Sequence, residues 1–200
     1  MAEDRDEQQN QAGNRPPPDL AREPATKRTV HATPVANQAG AVSDARWLLV
    51  EEGFNPAREH EIESFFTVAN GYLGTRGSLA EGSNVSLPAT FIAGVYATPT
   101  GSIPELVVAP DWAQVKVFVA GEEVSLDRGR TLMHRRWLDM RRGVLEREWR
   151  HSDDQGRVTR LHCRRFASLA DRHALVESVT VVPENYSGPL AVESTIEGQV

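Results

Sequence analysis

Cysteine is almost missing from this chain. Cys163 stands alone among 200 residues, which excludes an intrachain disulfide and a multi-cysteine metal centre. Long apolar runs are missing too. None approaches the ~20 residues that a membrane-crossing helix needs, and the opening MAEDRDEQQNQAGNR lacks the apolar core of a secretory signal. The expectation is a soluble, cytoplasmic protein with no membrane partner. An excess of positive charge is absent as well: the formal net charge is −6, which argues against nucleic acid as the main partner. Aromatic residues do not occur before Trp47, although Pro16, Pro17, Pro18, Pro24 and Pro34 do. A segment so poor in apolar side chains cannot offset the entropy of ordering itself, so 1–43 reads as a disordered tail and 44–200 as one folded domain.

What is present from Trp47 onward has the period of strands. WLLVE (47–51) opens the fold and GFNP (53–56) turns it. TFIAGVYA (90–97) and QVKVFVAGEEVSL (114–126) follow, the latter a hairpin in which Val115, Val117 and Val119 alternate before Ala120-Gly121. HRRWLDM (134–140) leads through RRG to VLEREWRH (144–151), and SDDQGR (152–157) turns the chain into VTRLHCRRFASL (158–169). Leu145, Arg147 and Trp149 share one strand face, and Leu161 and Cys163 share one face of the next strand. DRH (171–173) and ENYSG (184–188) set off ALVESVTVV (174–182) and PLAVESTI (189–196). No window sustains a helical stripe over three turns. Short strands with turn chemistry between them predict an all-β, antiparallel β-sandwich.

Standard site motifs do not fit. Gly71, Gly74 and Gly77 recur every third residue, which is neither a dinucleotide fingerprint nor a phosphate loop. HEIES (60–64) lacks the second histidine of a zinc-protease helix, and the histidines are scattered, so no metal site is expected. His162 lies opposite in face to Cys163 and reads as a surface or half-buried strand residue. No nucleophile elbow occurs.

Carboxylates are the next candidates, because glycoside chemistry commonly uses two of them. Glu59, Glu61 and Glu63 alternate and share a face if the segment is extended, while Glu122-Glu123 and Asp153-Asp154 belong to solvated turns. A catalytic acid needs burial to raise its pKa, and nothing in the sequence shows that for these groups. Segment 128–165 is basic, with twelve arginines against five acids, a net of +7. Cross-strand ion pairs explain this more simply than an anion-binding face with Trp137 and Trp149 for stacking, since the arginines occupy both strand faces.

One stretch remains, ESFFTVANGYLGTRGSLAEG (63–82). With PATFIAGVY (88–96), LDMRRGVLEREWR (138–150) and RRFASLADRHALVESVTVVPENYSGPLAVESTIEG (164–198), in that order, it resembles the N-terminal domain of glycoside hydrolase family 65. That family contains maltose, trehalose and kojibiose phosphorylases and acid trehalases. The resemblance implies a β-sandwich followed by an (α/α)₆ barrel, with inverting cleavage of an α-glucosidic bond. Phosphate is the nucleophile in the phosphorylases and water in the trehalases, and no other cofactor is implied.

The family's general acid lies in the barrel, which this chain does not carry, so the chain reads as a partial domain with no catalytic residue of its own. Its implied partners are the catalytic barrel and, through the complete enzyme, an α-linked glucose disaccharide; a homodimer is left open. The candidates for a substrate loop or barrel interface are Asn70, Gly71, Tyr72, Gly74, Arg76, Gly77 and Glu81. Phe65, Phe66, Leu73 and Tyr72 are expected to anchor that loop in the core, with structural use ahead of direct sugar contact. The rival expectation is a free-standing carbohydrate-binding or interaction module.

Overall fold

The structure, a computed structural model, describes residues 45–98 and 103–198. The expected tail over 1–43 lies outside the described residues. In chain order the elements are β1 (Leu48–Glu52), α1 (Glu59–Phe65), β2 (Val68–Ala69), β3 (Leu73–Thr75), β4 (Thr90–Ala97), β5 (Glu105–Ala109), β6 (Asp111–Val119), β7 (Glu122–Glu123), β8 (Arg130–Asp139), β9 (Val144–Ser152), β10 (Val158–Ala167), β11 (Leu175–Pro183) and β12 (Leu190–Glu197). They form a five-stranded sheet in the order β1-β8-β9-β10-β11, a three-stranded sheet β12-β6-β7 and a four-stranded sheet β2-β3-β4-β5. All pairings are antiparallel, and the architecture is the expected all-β sandwich.

Turn chemistry sets the register. Ala120 and Gly121 both hold positive φ, +51° and +88°, the pair of left-handed residues that a tight hairpin between twisted strands requires. In the β8–β9 turn the Asp139 carboxylate accepts from the Arg141 and Arg142 backbone N–H groups, each at 3.1 Å. These turns place Trp149 opposite Leu161 and Arg147 opposite Cys163. The inner face of β9 and β10 is therefore the one that alternation predicted.

Two layers cover that face. Val117, Val119 and Val124 of the β6–β7 hairpin pack on Trp149 and Leu161, and Trp149 is fully buried. On the other half, Ile62, Phe66 and Val68 pack on Leu145. Both clusters work by removing apolar area from water, about 25 cal/mol per Å².

The structure corrects two expectations. Residues 59–65 are helical and not extended, so Glu59 and Glu63, four apart, share a face, while Glu61 turns outward to Arg58. Phe65 is 56% exposed and anchors nothing, whereas Phe66 is 2% exposed and is the true core residue. Phe66 stands four residues after Ile62 and joins it on Leu145, a position that Phe65 does not share. β5, unassigned from the sequence, pairs with β4.

Candidate functional site

The strongest chemistry of the domain lies under the glycine-rich loop. Arg136 on β8 and Arg147 on β9 face each other in register, and Arg165 stands on the same inner face of β10. Each guanidinium reaches a carboxylate from another segment. Arg136 donates to both oxygens of Glu59 at 2.9 and 3.0 Å. Arg147 donates to both oxygens of Glu81 at 2.6 Å. Arg165 donates to Glu177 at 3.2 and 3.3 Å and to the Arg76 carbonyl at 2.8 Å. Such two-pronged contacts fix orientation as well as charge. All six side chains are buried.

The electrostatics follow from that burial. Burial pushes the Glu59 carboxyl up and the Arg136 guanidinium down, and each partner's charge opposes the shift. Burial likewise pushes Glu177 up against the opposing charge of Arg165. His134 completes the row. Its Nδ1–H donates to the Gly53 carbonyl at 2.8 Å, and its Nε2 accepts from Arg147 Nε at 3.0 Å. A ring that must accept at Nε2 stays neutral; burial, then Arg147 and Arg136, lower its pKa from 6.5 to about 3. Burial raises the Cys163 thiol to about 12, so it stays protonated and inert.

A further interior carboxylate, Glu63, accepts from the Ser86 hydroxyl, from the Leu87 N–H at 3.0 Å and from Arg76 Nη2 at 3.4 Å. It pins the far end of the loop to α1. The cavity lined by Gly77, Ser78, Arg136, Arg147, Cys163 and Arg165 measures about 10 Å³, room for a water-sized group and not for a sugar ring. Among the described residues, no group of three or more His, Cys, Asp or Glu side chains could hold a metal ion. No helix among them is long and apolar enough to cross a membrane.

The sequence candidates separate into two places. Glu81, Gly77 and Arg76 belong to the buried seam. A Cβ on Gly77 would lie 2.6 Å from the Phe66 Cβ, so only glycine lets the loop cross α1 there. Arg76 Nη2 donates to the His60 carbonyl at 2.7 Å. Gly74 lies on β3, where an added Cβ would make ordinary contact with Ala69 at 3.5 Å.

Asn70, Gly71 and Tyr72 lie instead at the β2–β3 turn. Asn70 Oδ1 accepts from the Tyr72 and Leu73 N–H groups at 3.0 and 2.9 Å, and its Nδ2 donates to the Ser168 and Arg172 carbonyls at 2.7 and 3.1 Å. Gly71 holds φ +87°, and the half-buried Tyr72 ring meets His173 edge-on at 4.9 Å.

Sequence reasoning missed Glu59, Arg136, Arg165, Glu177 and His134 as members of one array. The available signal was an arginine at a core-facing position, as at Arg147 between Leu145 and Trp149. On the outer face, Arg164 and His162 share Glu146 at 2.9 and 2.7 Å, and Arg160 approaches Glu148 at 3.6 Å. Within the basic segment, cross-strand ion pairs thus engage Arg160 and Arg164, while Arg136, Arg147 and Arg165 are buried in the seam.

Comparison with known proteins agrees with this architecture. Residues 49–200 match the model of the glycosyl hydrolase family 65 N-terminal domain. A kojibiose phosphorylase of Caldanaerobacter subterraneus subsp. tengcongensis is 40% identical over 159 residues, covering 80% of this chain and 21% of the relative. An α,α-trehalose phosphorylase of Thermoanaerobacter brockii is 31% identical over 169 residues, covering 77% of this chain and 22% of the relative. A solved structure from the human microbiome, provisionally named a kojibiose phosphorylase, superimposes with a TM-score of 0.61 at 21% identity, covering 68% of this chain and 19% of that one; it speaks for the fold. The chain spans about a fifth of the length of the curated relatives it matches. With sandwich, loop and collinear sequence in agreement, the chain belongs to glycosyl hydrolase family 65, of which it represents the N-terminal β-sandwich domain.

Proposed function

We propose that this domain is the non-catalytic framework of an α-glucosyl disaccharide phosphorylase, and that its glycine-rich loop supports a catalytic barrel. One observation carries the proposal. The deeply buried carboxylates Glu59, Glu81 and Glu177 are each bound by an arginine, and Glu63 is held by a hydroxyl, a backbone N–H and Arg76. A general acid must deliver a proton to a leaving sugar oxygen. A buried carboxylate whose oxygens are both taken up by one guanidinium is committed to that partner and is not offered to a sugar oxygen. These groups orient the loop, and the acid chemistry belongs elsewhere in the enzyme. Asn70, Gly71, Tyr72, Gly74, Arg76, Gly77 and Glu81 serve that orientation, with the Asn70–Tyr72 turn as the part that faces the barrel.

In the complete enzyme inorganic phosphate is the co-substrate and an α-linked glucose disaccharide is the donor. Kojibiose, trehalose and nigerose are the first to test, because phosphorylases named for them are among the relatives. The full-length enzyme is expected to form β-glucose 1-phosphate from one of these only when phosphate is present. The 200-residue chain alone is expected to form none. Turnover by the chain alone would overturn the framework role. Release of free glucose without need of phosphate would make the enzyme a hydrolase.

A further inference from the structure

One donor of the arginine seam is left over. Arg136 is 1% exposed; its Nη2 serves both oxygens of Glu59 and its Nη1 serves the Gly77 carbonyl. Its buried Nε–H meets no acceptor among the described residues. Such a group has given up its hydration and received nothing in exchange, the costly case among buried polar atoms. The guanidinium cannot turn to find an acceptor, because the contacts to Glu59 and Gly77 fix its plane. Arg136 also lines the cavity of about 10 Å³ under the glycine-rich loop. That is the room one water needs and no more.

The lining supplies the other partners. A buried water commonly makes about three hydrogen bonds. Beside the Arg136 donor, Ser78 and Glu177 bring side-chain oxygens to the same cavity. The Ser78 hydroxyl meets Arg165 only at 3.4 Å, and each Glu177 oxygen, with Arg165 at 3.2 and 3.3 Å, has room for a second donor. Charge selects water over an anion. Arg136, Arg147 and Arg165 are matched one to one by Glu59, Glu81 and Glu177. A halide would therefore arrive as an unpaired buried charge, with the Glu177 carboxylate in the same lining.

We infer that this cavity is a binding site for a single water molecule, which accepts from Arg136 Nε and donates to oxygens of the lining. The water completes the hydrogen bonding of the seam, and the seat of the glycine-rich loop is then made of ion pairs and one solvent molecule together.

High-resolution crystal structures of the full-length enzyme and of its Cys163→Val variant test this. The wild type is expected to show one density peak in the cavity, about 2.9 Å from Arg136 Nε. Cys163 lies on β10 and lines the same cavity; valine there is bulkier and suits a strand, so the peak should vanish from the variant. In solution, deuteron relaxation dispersion should count one long-lived water fewer in Cys163→Val than in the wild type. A wild-type cavity without a peak overturns the inference, and it decides alone if the variant does not fold. A peak that persists in the variant, or equal water counts, also overturns it. So does an anomalous signal in the cavity of crystals grown in bromide, which would mark an anion site.

Discussion

Arg136 on β8 grips both carboxylate oxygens of Glu59 on α1 with 1% and 2% side-chain exposure, joining segments 77 positions apart. The same guanidinium donates to the Gly77 carbonyl at 3.2 Å, so one residue ties the helix and the glycine loop to the sheet.

Breaking this pair from one side strands a buried charge. Glu59→Leu is expected to cost roughly 3–5 kcal/mol. Arg136→Met combined with Glu59→Leu should recover most of that loss, because an apolar pair of similar volume carries no desolvation cost. Urea unfolding of both variants checks this; a loss under about 1 kcal/mol for the single variant would mean that water reaches the pair.

Gly77 and Gly71 are glycines for different reasons, and substitution separates them. Gly77→Ala drives a Cβ into Phe66 and should cost about 1–3 kcal/mol. Gly71 has nothing within 4 Å of an added Cβ but holds φ +87°. Gly71→Ala should cost about 1–2 kcal/mol of backbone strain, and Gly71→Asn less, since Asn tolerates that region. Gly77→Asn should be worse than Gly77→Ala. Thermal melts of the four variants give the ranking, and a benign Gly77→Asn would contradict the close approach.

His134 makes stability depend on pH. Its folded pKa of about 3 lies below the ordinary 6.5, so between those values the unfolded chain binds a proton that the folded one refuses. The contribution is complete above about pH 6.5 and is lost as pH falls toward 3, at up to about 1.4 kcal/mol per unit. From pH 6.5 to 4.5 this removes roughly 2–3 kcal/mol. His134→Gln cannot titrate, so its stability curve should be shallower over that window, though lower at pH 8. Parallel slopes for the two proteins would refute the assignment.

Arg76 tests the proposal that the loop serves the framework and not the sugar. With its donors on the His60 carbonyl and Glu63, Arg76→Ala in the full-length enzyme should cost roughly 1–3 kcal/mol of stability. The Michaelis constant should change little. Unaltered melting with a steep rise in that constant would make the loop a substrate element.

The strands and hairpins were legible because alternation and turn residues are local signals. Val115, Val117 and Val119 announce β6, and Ala120-Gly121 announces its turn. α1 was not legible: seven residues offer too few periods to separate a helix from an alternating strand, and Glu59, Glu61 and Glu63 fit both. The arginine seam was half legible. Arg147 stood at a core-facing position, but its partner Glu81 lies 66 positions away, and no local pattern names such a partner. β5 was missed because its five residues, Glu105–Ala109, carry no alternation.

The sheet order also fixes a timetable. β8, β9, β10 and β11 follow one another through short turns, so each can pair as soon as it is made. β1 cannot, because Leu48 pairs with Asp139. At about 5–20 residues per second, a ribosome needs roughly 5–20 s to travel between those two positions. Pulse-labelling of stalled nascent chains should find β1 unprotected until β8 has emerged; earlier protection would break this schedule. For that interval Leu49 and Val50 ride on a strand with no ladder to join. The time that β1 spends unpaired is therefore set by the pace of translation, not by the strength of the finished sheet.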